Sequence, residues 1–533
     1  MNRPDEKAKL DSIEEARSVT RAAGIVGGAT LLSRILGFAR DMVIAYFFGT
    51  ASTADAFFVA FRLPNLLRRL FAEGSFTVAF IPVFTESLTH QGREAALEIA
   101  RSVLTALGLV LVLISFLGIL FAPAVIHVIA PGFTQDPGKL SLTVSLTRIT
   151  FPYIFFIGLV AGCMGVLNSL RHFAAPALAP TLLNLSMIGS VALLHSWLEE
   201  PVYALAWGVL IGGLLQLLLQ IPFMVKLGFS LVPLFRFDNP ALKRILYLML
   251  PSALGAAVYQ VSILLSTLLA SLLPSGSVSY LYYADRVVQF PLGVFAIALG
   301  TASLPSMSRF AAKGDIEGLI NTFSHSLRLV LFIAVPSMAG LVVLRDPIVS
   351  VLFQRGAFDA DASVQTSSAL LYYAVGLWAF SGIRIVLSAF FSLQDTSTPV
   401  KVAILSLVAG ILFSLVLMGP MRHNGLALAT SLSSALNLGL LMFLLRKKTG
   451  RMDGRRILAS LVKTTAATCC MALSVVVASL APLPGGIAVR LTSRLAIGFI
   501  VYLGVAFLLR SDEVQTLFSP IYSRITRAIT RKT

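Results

Sequence analysis

The sequence predicts an all-α polytopic membrane protein of about fourteen transmembrane helices, built as two parallel-repeat six-helix lobes plus two C-terminal helices. Three observations carry this. Hydrophobic residues make up 57% of the 533 and charged ones 13%, with a mean hydropathy of +0.86, whereas a soluble domain carries about 25% charged residues. The chain divides into apolar segments of crossing length. It also repeats itself at a nearly constant shift, the one that carries Pro82 to Pro305.

The segments follow in order. A crossing helix needs about 20 apolar residues. Breaks at polar residues, Gly and Pro leave candidates at 24–48, 54–85, 101–129, 141–170, 177–197, 202–225 and 243–272. Seven more lie at 278–308, 319–353, 364–393, 399–419, 424–445, 457–481 and 489–510. The second, eighth, ninth and tenth contain prolines or polar residues and are expected to be kinked or broken. Residues 1–23 read as a cytoplasmic N-terminal tail. That tail mixes acids and bases, and the apolar segment after it has no small-residue cleavage site, so it does not read as a secretory signal. The lobes are 24–225 and 243–445. Residues 457–510 hold the last two helices, and 511–533 form a basic cytoplasmic tail that either lies on the membrane surface or is disordered.

Lysine and arginine placement orients the chain. With the N-terminus inside, nearly all loop bases fall on the cytoplasmic side, ending in Arg446, Lys447, Lys448, Arg451, Arg455 and Arg456. Lys139, Arg355, Arg422 and Arg490 fall opposite, with Glu199 and Glu200. Both termini are therefore expected to be cytoplasmic. The net charge of +17 then reflects orientation and contact with anionic lipid headgroups rather than nucleic acid. Cys163, Cys469 and Cys470 lie in apolar runs without metal-ligand spacing.

The repeat pairs Pro82 with Pro305, Pro123 with Pro347, Gly132 with Gly356 and Pro176 with Pro399. A shift of six helices is even, so the copies should be parallel, with a substrate site between them near mid-membrane.

The first two segments carry charges where a bilayer disfavours them: Arg34, Arg40 and Asp41, then Asp55, Arg62, Arg68, Arg69 and Glu73. Each costs a few kcal/mol on insertion scales, roughly 2.5–3.5, and such residues mark substrate or ion paths by default. Arg34 and Asp41 are two helical turns apart, as are Asp55, Arg62 and Arg69 in series, with Glu73 four further on. The bland reading is internal pairing, and Arg69 with Glu73 has ordinary helix-support spacing. Adjacent Arg40 and Asp41 point apart and are not expected to neutralise each other. The second half contributes Asp285, Arg286 and Gln289, then Arg384 and Asp395. Arginine's planar fork suits phosphate and carboxylate, so a pyrophosphate-bearing lipid fits. Gly24–Gly28 and Gly158–Gly162 have the spacing of close helix packing. The histidines show no metal pattern, and no P-loop, HExxH or GxSxG is present. No cofactor and no enzymatic activity are expected.

Three runs carry a family resemblance: Ser33-Arg-Ile-Leu-Gly-Phe-Ala-Arg-Asp41, the stretch from Thr53 to Gly74, and Ser277-Val-Ser-Tyr-Leu-Tyr-Tyr-Ala-Asp-Arg286. They resemble the MurJ (MviN) family of bacterial lipid II flippases, within the multidrug/oligosaccharidyl-lipid/polysaccharide exporter (MOP) superfamily. The likeness runs from about Val19 to the end of the chain. It implies fourteen helices in two lobes, a groove for the polyprenyl tail on the last two, and a cationic cavity opening alternately to the two sides. It places the family's essential charges on Arg34, Arg40, Asp41, Asp55, Arg68 and Arg286, with Arg62 also basic in relatives. On this reading Arg34, Arg40, Arg62, Arg68 and Arg286 bind substrate. Asp41, Asp55, Asp285 and Glu73 are charge partners or gates. The implied partners are lipid II, membrane lipids and peptidoglycan-synthesis proteins, in the bacterial cytoplasmic (inner) membrane. Bias would come from the membrane potential or an ion gradient, without a bound cofactor. Two departures matter. Gln289 stands where relatives can carry glutamate. No Asp or Glu lies between Lys243 and Ser271, where some members bind Na⁺. The runner-up readings are an exporter of another lipid-linked oligosaccharide and a cation-coupled drug antiporter.

Overall fold

A computed structural model describes the backbone of residues 3–70, 76–450, 452–481, 484–514 and 516, with no strand among them. Contacts divide the chain into two compact units, Met1–Ser275 and Gly276–Thr533.

The first unit opens with α1 (Arg3–Phe48), α2 (Ser52–Leu70) and α3 (Phe76–His90). It continues with α4 (Arg93–Leu120), α5 (Ala122–Ile129), a 3₁₀ turn (Pro131–Gln135), α6 (Pro137–Thr150) and α7 (Tyr153–Ser169). It closes with α8 (Ala174–Leu194), α9 (Tyr203–Lys226) and α10 (Pro240–Ser271). The second unit holds α11 (Ser277–Pro291), a π-helical turn (Leu292–Ala296), α12 (Ile297–Ala312), α13 (Ile316–Val343) and α14 (Arg345–Phe353). Then come α15 (Ala360–Ala374), α16 (Leu377–Ser392), α17 (Ser397–Met421), α18 (His423–Thr449), α19 (Gly454–Leu480) and α20 (Ile487–Leu508).

Among the described residues ten helices are long and apolar enough to cross a membrane, or eleven if α15 and α16, bent by 42°, form one span. The ninth and tenth segments are broken as expected, and the eighth is a continuous helix interrupted by a π turn. In the eighth, Pro291 removes a backbone donor just before the π turn. The third segment is broken as well, at Phe121, where Pro123 sits in the first turn of α5, and in the fourth a turn at Phe151 and Pro152 separates α6 from α7. Helix α1 is continuous from Arg3, so its backbone runs straight out of residues 3–23; 46 residues span about 69 Å, over twice a hydrocarbon core.

The repeat reappears in the element order. Helices start at Arg93 and Ile316, Ala122 and Arg345, Pro137 and Ala360, and Ala174 and Ser397, each pair at the shift that separates Pro82 from Pro305. Two non-glycine residues with left-handed backbone, Arg171 (φ 62°) and Gln394 (φ 57°), keep the same offset. The periodicity breaks at α10. The repeat puts residues 243–272 at the head of the second lobe, yet α10 groups with the first unit. Its Ile245, 1% exposed, is buried in the cluster of Phe76, Phe80 and Phe84 from α3.

Small residues set the close approaches. A Cβ on Gly158 would overlap the Leu111 side chain and one on Gly162 would overlap Leu104, so α7 meets α4 through this pair. Gly24 and Gly28 have open space around them, so their spacing serves no packing among the described residues. In the second unit Tyr502 of α20 donates to the Phe332 carbonyl of α13 at 2.6 Å. That bond ties the last helix to the core around Phe332, Ala467 and Met471.

A cationic candidate site

Helix α1 carries the first group. The notion that Arg40 and Asp41 cannot neutralise each other is overturned: Arg40 Nη2 lies 2.7 Å from Asp41 Oδ1 and Nε lies 3.1 Å from the same oxygen. Both residues are buried. Their Cβ atoms diverge, but the long arginine stem bends back across the helix surface and its fork clasps the short carboxylate. Arg40 Nη1 also donates to Asn184 Oδ1 of α8 at 3.1 Å, and Asn184 Nδ2 donates to the Ser33 carbonyl at 3.0 Å. Arg34, one to two turns earlier, is exposed.

Helix α2 carries the second group. Asp55 lies in its first turn, where the helix dipole favours an anion. Asp55 and Arg62 of the acid/base stripe inferred from spacing meet partners on other helices. Asp55 Oδ2 accepts from Lys139 Nζ of α6 at 2.9 Å. Arg62 Nε donates to Thr267 Oγ1 of α10 at 3.0 Å, and Arg68 Nε donates to Asn65 Oδ1 at 3.1 Å. The packing of α6 and α10 against α2 brings Lys139 and Thr267 to these positions, while Arg68 finds its acceptor one turn away on its own helix. Glu73 lies outside the described residues.

Helix α11 carries the third group in the second unit. Arg286 Nη2 donates to Tyr282 Oη at 3.0 Å and its guanidinium sits 5.4 Å from that ring's centroid. Gln289 donates its amide to Asp285. Tyr282, Asp285, Arg286 and Gln289 thus form two i,i+4 contacts. Asp395 serves structure: it caps α17 through Thr398 N at 3.0 Å and pairs with Lys448 at 2.7 Å.

Sequence reasoning missed Lys139, Asn184, Thr267 and Tyr282. Asn184 had a readable signal, a lone amide inside the apolar run of α8. Lys139 had none, since it reads as a loop base after the helix-starting Asp136-Pro137-Gly138. Asp136 does cap α6, its Oδ1 accepting from Lys139 N at 3.0 Å, and this fixes Lys139 at the third helical position.

Long apolar helices carrying a repeat, broken spans and oriented arginines on the first two segments define a polytopic transporter. A solved MATE-family multidrug transporter of the MOP superfamily, inward-facing, matches with a TM-score of 0.67 at 15% identity, over 81% of this chain and 99% of its own; this likeness shows the fold alone. A solved "Lipid II flippase MurJ, inward closed conformation" matches with a TM-score of 0.78 at 25% identity, over 93% of this chain and 99% of its own. The family model for "Lipid II flippase MurJ" matches residues 44–486. The lipid II flippase MurJ of Burkholderia cenocepacia is 40% identical over 434 residues, 81% of this chain and 84% of that protein. The probable lipid II flippase MurJ of Vibrio cholerae is 37% identical over 466 residues, 85% of this chain and 89% of that protein. The chain belongs to the MurJ family.

Proposed function

We propose that this protein is a lipid II flippase, moving undecaprenyl-pyrophosphate-linked peptidoglycan precursor from the inner to the outer leaflet by alternating access. The family match over residues 44–486 carries this reading. The charge balance of the first two segments supports it: residues 24–70 hold five arginines, at 34, 40, 62, 68 and 69, against Asp41 and Asp55. A pyrophosphate needs such a cationic surround.

In this reading Arg34, Arg62, Arg68 and Arg286 bind the pyrophosphate and the sugar-peptide headgroup. Thr267, Asn65 and Tyr282 accept from three of these forks and fix their direction. Arg40 is held by Asp41 and Asn184 and contributes to the local field. Asp55 acts with Lys139. Asp285 is oriented by Gln289. Transport runs on differential affinity of two states for the substrate, without a covalent step or a cofactor. The membrane potential or an ion gradient supplies bias, about 2.3 kcal/mol per charge per 100 mV for the former. The protein resides in the bacterial cytoplasmic (inner) membrane with both termini cytoplasmic, and peptidoglycan-synthesis proteins are its natural neighbours.

The test is complementation of cells depleted of their own flippase, using wild type beside Arg34→Ala, Arg68→Ala and Arg286→Ala, with membrane levels measured. Rescue by wild type and failure of well-expressed variants is expected. A wild type that does not rescue removes the lipid II assignment, and variants that rescue remove these arginines from the site.

A further inference from the structure

Lys139 is the only buried lysine among the described residues. Its Nζ lies 2.9 Å from Asp55 Oδ2, 3.3 Å from Ser275 Oγ and 4.1 Å from the centroid of the Phe133 ring. An ammonium offers three donors. Two reach oxygen here, and the ring face stabilises the remaining charge. Asp55 is 1% exposed and Lys139 8%.

These groups come from distant places. Asp55 opens α2, Lys139 opens α6 and Ser275 is the last residue of the first unit. Gly276 follows with φ +91°, a left-handed conformation that side-chain-bearing residues rarely adopt. Beside it, Gly132 N donates to Ser271 Oγ at 3.3 Å. The cluster therefore fastens two helix starts to the point where the chain leaves the unit. Stability alone does not call for charges there, because a buried ion pair is commonly no more stabilising than apolar residues of the same volume.

We infer that Lys139 and Asp55 form a charged latch that opens and recloses during transport, with Lys139 the positioning residue that holds Asp55 and the exit at Ser275 in the latched state. The functional arm of this inference rests on the lipid II reading; the chemical arm does not.

The functional arm compares three variants by complementation and by melting in detergent: Lys139→Met, the swap Asp55→Lys with Lys139→Asp, and the apolar pair Asp55→Leu with Lys139→Met. Lys139→Met is expected to lower viable counts at least tenfold and the swap to regain part of that. The apolar pair should melt no lower than wild type and still fail to rescue. Rescue by the apolar pair, or by Lys139→Met, overturns the latch. The chemical arm exposes intact cells to a membrane-impermeant N-hydroxysulfosuccinimide ester and measures modification of Lys139 by mass spectrometry. Modification in wild type, several-fold faster in Asp55→Asn, is expected. A Lys139 protected in both proteins overturns the latch, including in the case where wild type fails to complement and the lipid II reading falls.

Discussion

The side-chain oxygen of Asn184 accepts from Arg40 Nη1 at 3.1 Å, a bond between residues 144 apart in sequence. It joins α8 to α1 and fixes the arginine that also clasps Asp41. Asn184→Ala removes this acceptor and the bond to the Ser33 carbonyl, and should destabilise the protein by about 1–3 kcal/mol. Asp41→Asn leaves the Arg40 charge buried beside a neutral amide and should cost more, about 3–5 kcal/mol. Thermal unfolding in detergent ranks the two. An Asn184→Ala protein that melts with wild type would show that the contact does not hold α8 to α1.

Tyr282→Phe keeps the ring beneath Arg286 and deletes only the hydroxyl that accepts from it. The guanidinium then loses its direction without losing its charge. Substrate affinity should fall roughly tenfold, about 1.4 kcal/mol, with transport impaired less than in Arg286→Ala. Equal loss in the two variants would mean that the hydroxyl does more than orient.

Acid sensitivity should trace to Asp395. The hydrogen bond from Lys448 pulls its carboxyl from the ordinary 3.8 down to about 2, against a smaller opposing effect of burial and with further help from Thr398. A depressed carboxylate adds stability above its unfolded value and loses it as pH falls through the folded one. The contribution is therefore complete above about pH 4 and disappears toward pH 2. Both partners are solvent-accessible, so the effect is modest. The melting difference between wild type and Lys448→Ala should shrink as pH is lowered from 5 to 2; a constant difference would assign Lys448 another role.

Glu513 behaves in the same direction for a different balance of causes. Burial raises its pKa, but hydrogen bonds from Ser511, its own backbone and Ser460, with the charge of Arg328, outweigh burial and leave it lowered. Arg328 reaches Glu513 at 3.0 Å and Asp512 at 3.3 Å, joining α13 to the segment after α20. Glu513→Ala leaves Arg328 with the more exposed Asp512 and should destabilise by up to about 3 kcal/mol. Cleavage after residue 510 by added protease should quicken accordingly, and unchanged cleavage would argue against the clasp.

Gly132→Ala should abolish accumulation in the membrane. Its Cβ would fall on the Ser271 carbonyl oxygen, a clash with backbone that no rotamer relieves. Wild-type levels would require the 3₁₀ turn after α5 to sit elsewhere.

Much of the molecule was legible because bilayer physics writes itself into composition. Apolar runs mark the spans and prolines mark their breaks. The shift that carries Pro82 to Pro305 reappears as paired helix starts such as Arg93 and Ile316. The arginines stood out for the same reason, since a charge in an apolar run is a local anomaly. The placement of α10 was not legible, because the aromatic cluster that buries Ile245 is contributed by α3, a helix far earlier in the chain.

The sequence by itself determined the class, the span pattern, the repeat and which segments carry charge, all of which depend on residue type at local spacing. Tertiary structure alone decided the partners. It turned Arg40 back on Asp41, brought Lys139 to Asp55, and brought Thr267 to Arg62. Periodicity says which face a side chain leaves from, but an ion pair is chosen by what lies within about 3 Å of that face, and only the packing of distant helices brings those atoms there.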